Sequence, residues 1–183
     1  MTLESVLTSA PAWALVHAPV LLVTLPMLIA PLVAILPNGR VAWLVSVVTV
    51  ATSFYLAIVT LGLVQSSPTG MLSYEIGRWP PPFGIEFRTD ALNAMILLLV
   101  TSIGFLASIF SWPTVSAELG NRNKLGMFYA AFLLCFAGLL GVASTGDAFN
   151  LFVFLEISSL ATYVMVAMGA RRDRRALPAA FNY

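Results

Sequence analysis

Residues 149–168 read FNLFVFLEISSLATYVMVAM, a run of 20 residues whose only charged side chain is Glu156. In a helix, each residue rises 1.5 Å, so a run of this length spans the roughly 30 Å of a bilayer's hydrocarbon core. We therefore predict a membrane-spanning helix here. Similar apolar runs without any Asp, Glu, Lys or Arg occupy residues 17–36, 41–64, 91–110 and 127–143. The pattern predicts an all-α integral membrane fold with about five transmembrane helices.

The composition of the rest of the chain agrees with this fold class. Hydrophobic residues make up 60% of the sequence and charged residues 9%, far below the roughly 25% charged content of ordinary soluble domains. This excludes a water-soluble fold. The net charge of +1, without a basic stripe, also excludes a nucleic-acid partner. The single cysteine, Cys135, lies in an apolar run and is expected to be a buried, inert thiol.

Basic residues between the runs predict the orientation, because they collect on the cytoplasmic side of membrane proteins. The tally is about seven against two: Arg40, Arg122, Lys124, Arg171, Arg172, Arg174 and Arg175 on one side, Arg78 and Arg88 on the other. We expect a multi-pass protein of the cell inner membrane with its N-terminus outside.

Two portions organise the chain. Residues 1–143 are predicted to hold the first four helices with an outer loop at 65–90. Residues 144–183 are predicted to hold the fifth helix with Glu156, a basic cytoplasmic loop at 169–177 and the start of a sixth helix, since Pro178 suits a first helical turn. The chain stops a few residues into that sixth span, which predicts a fragment or one piece of a split protein.

The outer loop is too patterned to be a slack linker. Its prolines, glycines and aromatic residues predict that it packs over the outer face of the bundle. Its charged residues can pair among themselves, which favours this packing role: Glu75, Arg78, Glu86, Arg88 and Asp90.

Glu156 is the main candidate for chemistry. It lies about nine residues past Asp147, so its depth is about 13 Å, near the bilayer centre. A carboxylate there costs at least about 2.5 to 3.5 kcal/mol and usually marks an ion or proton path, facing protein or water. Ser159 and Tyr163 follow at i+3 and i+7 and share its helical face, where they can bond it or hold water. The alternative is a Glu that only joins helices through a partner. The visible chain offers no obvious intramembrane cation.

Other polar residues have plainer interpretations. Asp147, just before the fifth span, is expected to cap that helix rather than to capture ions at the outer surface, and Asn150 is open to both roles. His17, at the outer end of the first span, either relays protons or is simply interfacial. No phosphate-binding loop, metal-ligand spacing or nucleophile–base grouping is present in the sequence. We predict no catalytic site, no metal and no cofactor.

Two stretches resemble the antiporter-like subunits shared by Mrp-type sodium/proton antiporters, complex I and membrane-bound hydrogenases. The first, GRWPPPFGI at residues 77–85 leading to DALNA at 90–94, is most similar to the D-type subunits of the Mrp antiporters. The second, TGDAFNLFVFLE at residues 145–156, is similar to the family segment that ends in its fifth-helix glutamate.

This resemblance implies that Glu156 matches the family's key carboxylate, which pairs with lysines on later helices. It also implies a fold of about fourteen helices with two inverted repeats, of which this chain would hold the N-terminal portion. Many family members have a Lys before an aromatic residue at the start of the sixth helix, whereas this chain has Phe181, Asn182 and Tyr183 there.

The leading hypothesis is a membrane subunit of a multisubunit monovalent cation (Na⁺)/H⁺ antiporter, in which a buried Glu156 moves protons through a half-channel. Its partners would be other membrane subunits, protons, monovalent cations and the lipid bilayer. One alternative is a proton-pumping membrane subunit of a complex I-like NADH-quinone oxidoreductase or a membrane-bound hydrogenase. Another is a truncated membrane scaffold without transport activity.

Overall fold

The computed structural model describes residues 7–8, 10–79, 84–119, 122–169 and 173–182. The described part excludes residues 80–83, Arg171, Arg172 and Tyr183, and also the side chains of Arg78 and Arg122. Sequence-based expectations about these residues therefore lie outside the described part. The elements run in the order α1 (Ala12–Ile35), α2 (Gly39–Ser66), β1 (Met71–Glu75), a 3₁₀ turn (Ile76–Arg78), β2 (Glu86–Asp90), α3 (Ala91–Leu119), α4 (Arg122–Ser144), α5 (Ala148–Met168) and α6 (Ala176–Asn182).

The five predicted spans are confirmed. Helices α1 to α5 are each long and apolar enough to cross a membrane, although most begin or end a few residues beyond the predicted bounds. The short α6 follows where the sixth helix was expected to start. The chain is therefore a multi-pass membrane protein.

Helix α4 lies at the centre of the bundle and α5 at its edge. Helix α4 packs against α1, α2, α3 and α5, whereas α5 packs mainly against α4 and, near its end, against α6. The consequence is visible in their burial: 61% of the apolar window of α4 is buried, against 11% for α5. One long face of α5 is thus left open by the described chain.

Small residues allow the backbones to approach closely at the end of the bundle opposite the hairpin. A Cβ built on Gly126 of α4 would lie 3.0 Å from the carbonyl oxygen of Val33 in α1. Gly39, at the start of α2, likewise sits against the side chain of Leu125. These contacts place the α1–α2 turn directly beside the beginning of α4.

The loop at 65–90 is an antiparallel hairpin that covers the other end of the bundle. Strands β1 and β2 pair with Tyr74 opposite Phe87. Phe87 is 2% exposed, forms a bridge with Thr145, and lies 6.2 Å from the Phe154 ring, centroid to centroid. The Gly146 N–H also donates to the Glu86 carbonyl at 3.0 Å. The loop therefore packs on the bundle as expected, but through two strands that the local sequence pattern does not predict.

The ion pairs that this loop could form are not made among the side chains that the structure describes, which exclude that of Arg78. The strand register sets Glu75 opposite Glu86 and Arg88 opposite Ser73, so acid and base do not face each other. Glu86 instead accepts a hydrogen bond from Ser73 at 2.6 Å. Asp90 accepts one from the Asn93 backbone N–H at 2.8 Å and so caps α3.

Candidate functional site

Glu156 lies close to the middle of α5. It is the ninth residue of the helix that starts at Ala148, so it is about 12 Å along the axis from the first residue. Helix α5 has no other Asp, Glu, Lys or Arg within its bounds. The depth predicted from the sequence is thus retained in the fold.

Two faces of α5 have different surroundings. The face toward α4 carries the buried residues Asn150, Ser158 and Ala161. It meets two glycines of α4, because a Cβ on Gly138 would lie 2.8 Å from the Phe154 carbonyl oxygen, and Gly141 sits against the Phe154 ring. The opposite face is apolar and exposed: Phe149, Phe152, Leu155, Leu160 and Val164.

Glu156 belongs to the open face, which corrects the expectation of a buried glutamate. Its side chain is exposed, and no other described residue donates a hydrogen bond to it or pairs with it. The reason is geometric: α4 covers only the Asn150–Ser158 side of α5, and α6 begins too far along the helix to cover position 156. A carboxylate at this depth, uncovered by its own chain, would face hydrocarbon unless another element covers it.

The two hydroxyl residues predicted beside Glu156 are only partly covered. Ser159 and Tyr163 are both half-buried. Tyr163 lines a cavity of about 240 Å³ between α5 and α6, together with Val164, Leu177 and Phe181. Their joint action with Glu156 in proton transfer stays a prediction.

Asp147 and Asn150 form the cap of α5. The Asp147 carboxylate accepts from the backbone N–H groups of Phe149 at 3.2 Å and Asn150 at 3.4 Å. The Asn150 side-chain amide donates to the same carboxylate at 2.8 Å. These bonds satisfy donors that a helix start leaves open, so the cap fixes where α5 begins and how far into the membrane Glu156 is carried.

The remaining polar residues of interest serve contacts between elements. His17 Nδ1 is 2.9 Å from the hydroxyl of Tyr74 and so links α1 to the hairpin. Cys135, expected to be buried, is half-buried, with its Sγ 3.4 Å from Thr162 Oγ1 in α5. Among the described residues, no group of three or more His, Cys, Asp or Glu side chains is placed to hold a metal ion.

Comparison with known proteins identifies relatives of one kind. The chain is 39% identical over 158 residues to the N subunit of the NADH-quinone oxidoreductase of Desulforudis audaxviator, a match that covers 86% of this chain and 31% of that protein. It is 34% identical over 120 residues to the D-type subunit of the Na⁺/H⁺ antiporter of Alkalihalophilus pseudofirmus, covering 66% of this chain and 22% of that protein. It therefore spans less than a third of either relative. No family model matches.

The comparison with solved structures agrees with the sequence comparison. A chain of the membrane-bound sulfane sulfur reductase, an archaeal respiratory membrane complex, matches with a TM-score of 0.79 and 27% identity over 91% of this chain and 33% of that one. A chain of the Mrp complex from Dietzia sp. DQ12-45-1b matches with a TM-score of 0.69 and 28% identity, over 91% of this chain and 28% of that one. Both sequence and fold thus agree with the resemblance found from the motifs.

Proposed function

Because the chain belongs to the antiporter-like membrane subunits, we propose that it is part of a subunit that exchanges protons for monovalent cations within a multisubunit antiporter. In this role it performs no chemistry of its own and acts by carrying protons. D-type antiporter subunits from several bacteria are among its relatives, including that of a probable K⁺/H⁺ antiporter of Rhizobium meliloti at 32% identity.

The observation that carries this proposal is the uncovered carboxylate of Glu156. A charge near the bilayer centre is retained where it faces an ion path or a partner charge, because its insertion is unfavourable by at least about 2.5 kcal/mol. A carboxyl group can accept and release a proton, which is the chemistry that a proton carrier needs. Glu156 is therefore the proposed proton carrier of α5.

The open face of α5 indicates what completes the site. Apolar residues surround Glu156 on that face. The element that covers them is therefore another membrane helix rather than a hydrated loop, because lipid-exposed loops do not occur in the hydrocarbon core. A cation on that helix would stabilise the ionised carboxylate, as the family resemblance implies. Because this chain spans less than a third of its relatives, the covering helix would come from the rest of the subunit or from an adjacent subunit.

A second candidate is a proton-pumping membrane subunit of a complex I-like oxidoreductase. The 39% identity to the N subunit of an NADH-quinone oxidoreductase and the fold match to a respiratory complex favour it. Glu156 would carry protons in this case too, but the driving force would be electron transfer in other subunits. The two candidates differ in what powers proton movement, not in the residue that carries it.

The test is the Glu156→Gln variant of the intact protein in everted membrane vesicles, with Glu75→Gln on the exposed hairpin as the matched control. For an antiporter, addition of Na⁺ or K⁺ dissipates an imposed pH gradient in wild type and in the control. We expect Glu156→Gln to reduce this response at least about tenfold, because glutamine cannot release a proton.

Other outcomes separate the alternatives. The respiratory role would be favoured by proton uptake that depends on NADH or another electron donor and does not respond to Na⁺ or K⁺. In that case Glu156→Gln should abolish the donor-dependent uptake. Proton movement that is unchanged in Glu156→Gln, both after addition of Na⁺ or K⁺ and with an electron donor, would eliminate Glu156 as a proton carrier. The remaining alternative would be a scaffold without transport activity.

A further inference from the structure

A polar pocket of about 320 Å³ lies at the end of the bundle opposite the hairpin, where α2 begins and α3 ends. Charge counting places this end on the cytoplasmic side. The pocket is lined by Asn38, Gly39, Arg40, Trp112, Ser116 and Leu125. It is remote from Glu156 and plays no part in the proposed proton path.

Arg40 supplies the binding chemistry of the pocket. Its guanidinium carbon lies 5.9 Å from the centroid of the Trp112 ring, a cation–π contact that holds the group over the pocket wall. In the part of the chain that the structure describes, no carboxylate pairs with this guanidinium. Its fork of N–H donors is therefore available to an oxyanion such as a phosphate.

The walls of the pocket are held by hydrogen bonds between three helices. Trp43 Nε1 of α2 donates to the Ser108 carbonyl oxygen of α3 at 2.8 Å, and its ring lies 5.6 Å from that of Trp112. Ser111 Oγ donates to the same carbonyl at 2.8 Å and lies 3.2 Å from the buried Tyr129 hydroxyl of α4.

The position of the pocket matches a lipid rather than a free anion. Arg40 is the second residue of α2, so it lies at the membrane surface, the level of lipid headgroups. Leu44 and Val48 follow on the same helical face at i+4 and i+8, and they are 51% and 64% exposed. A lipid whose headgroup lies at Arg40 would thus place its acyl chains along this apolar surface, toward the membrane interior.

We propose that this pocket binds the phosphodiester headgroup of an acidic phospholipid, with Arg40 held by Trp112 as the phosphate ligand. Asn38 and Ser116 add polar groups at the rim for the headgroup alcohol. Basic pockets between helices on the cytoplasmic face bind such headgroups in other membrane proteins. The bound lipid fixes the start of α2 against the end of α3.

The test titrates the intact protein, isolated in a neutral detergent with whatever subunits accompany it, with short-chain phosphatidylglycerol while tryptophan fluorescence is followed. Phosphatidylcholine and inorganic phosphate are the two comparison ligands. We expect phosphatidylglycerol to bind at least about tenfold more tightly than either. Arg40→Gln should weaken its binding about tenfold, the usual effect of losing a hydrogen bond to a charged group.

Arg175→Gln is the matched control, because it removes the same charge from the same side of the membrane but outside the pocket. Arg40→Lys keeps the charge without the planar fork, and we expect it to bind with intermediate affinity, which separates loss of binding from loss of folding. Equal weakening by Arg40→Gln and Arg175→Gln would overturn the proposal in favour of general surface attraction. Inorganic phosphate binding as tightly as the lipid would overturn the lipid assignment.

Discussion

Two carboxylates at the start and the middle of one helix illustrate how residue position determines role. Asp147 stands before α5 and accepts three hydrogen bonds, two from backbone N–H groups and one from Asn150. Glu156 lies on the open face and has no partner among the described residues. The Asp147 carboxylate stabilises the start of α5, whereas the Glu156 carboxylate is available to a group outside the described residues.

Removal of the Asp147 cap is expected to destabilise the protein without removing Glu156, the proposed proton carrier. Asp147→Ala leaves the first N–H groups of α5 without their acceptor and should lower the free energy of unfolding by about 1 kcal/mol. Asp147→Asn retains an oxygen acceptor and should lower it much less. Equilibrium unfolding in mixed detergent micelles measures both. Equal stability of the Ala and Asn variants would show that the cap contributes little.

The sequence could predict these two residues to different degrees. Capping depends on residues within one turn, so the position of Asp147 before an apolar run was enough to predict it. The depth of Glu156 follows from counting along the helix and was also predictable. Its exposure was not, because it depends on which neighbours pack around α5, and those are set by the arrangement of the whole bundle.

At the scale of elements, α5 is held mainly by its interface with α4. Gly138 and Gly141, one turn apart on α4, let the backbone of α5 approach near Phe154 and Ser158. Small residues bring membrane helices close enough for van der Waals contact to replace the hydrophobic driving force that water would supply. This interface therefore determines how α5 presents Glu156 to a covering helix.

Gly138→Ala is expected to disturb that interface. The added Cβ would lie 2.8 Å from the Phe154 carbonyl oxygen, a backbone atom that cannot turn away, so we expect a loss of about 1 to 3 kcal/mol in stability. Gly169→Ala is the matched control, because its Cβ would have a nearest neighbour at 3.7 Å. Apparent melting temperatures in detergent compare the two. A Gly138→Ala protein as stable as the Gly169→Ala protein would refute the close packing.

The helices themselves were predictable, but the hairpin was not. Membrane spans are encoded locally by runs of apolar residues, which is why all five were found. Strands β1 and β2 are short, polar on one face and separated by residues 76–85, so their pairing depends on contacts that no local window contains. Likewise, Arg40 could be assigned to a side of the membrane from its charge, whereas its contact with Trp112 depends on the packing of α2 against α3.

At the scale of the whole molecule, the two ends of the bundle differ in chemistry. One end is closed by the hairpin, the α5 cap and the contact of His17 with Tyr74. The other end carries Arg40, Lys124, Arg174 and Arg175. The positive-inside rule assigns the second end to the cytoplasm. The side of the membrane on which the proposed lipid pocket lies, and the direction of the proposed proton path, both follow from this assignment.

Cysteine labelling tests the orientation, because the chain has a single native cysteine that is readily replaced. In a Cys135→Ala background, we expect Glu75→Cys on the hairpin to react with a membrane-impermeant maleimide in intact spheroplasts. Arg175→Cys should react only after the membrane is permeabilised or in everted vesicles. Both positions are exposed in the fold, so a difference in labelling reports the side of the membrane and not burial. The reverse pattern would invert the molecule in the membrane and place the Arg40 pocket in the outer leaflet.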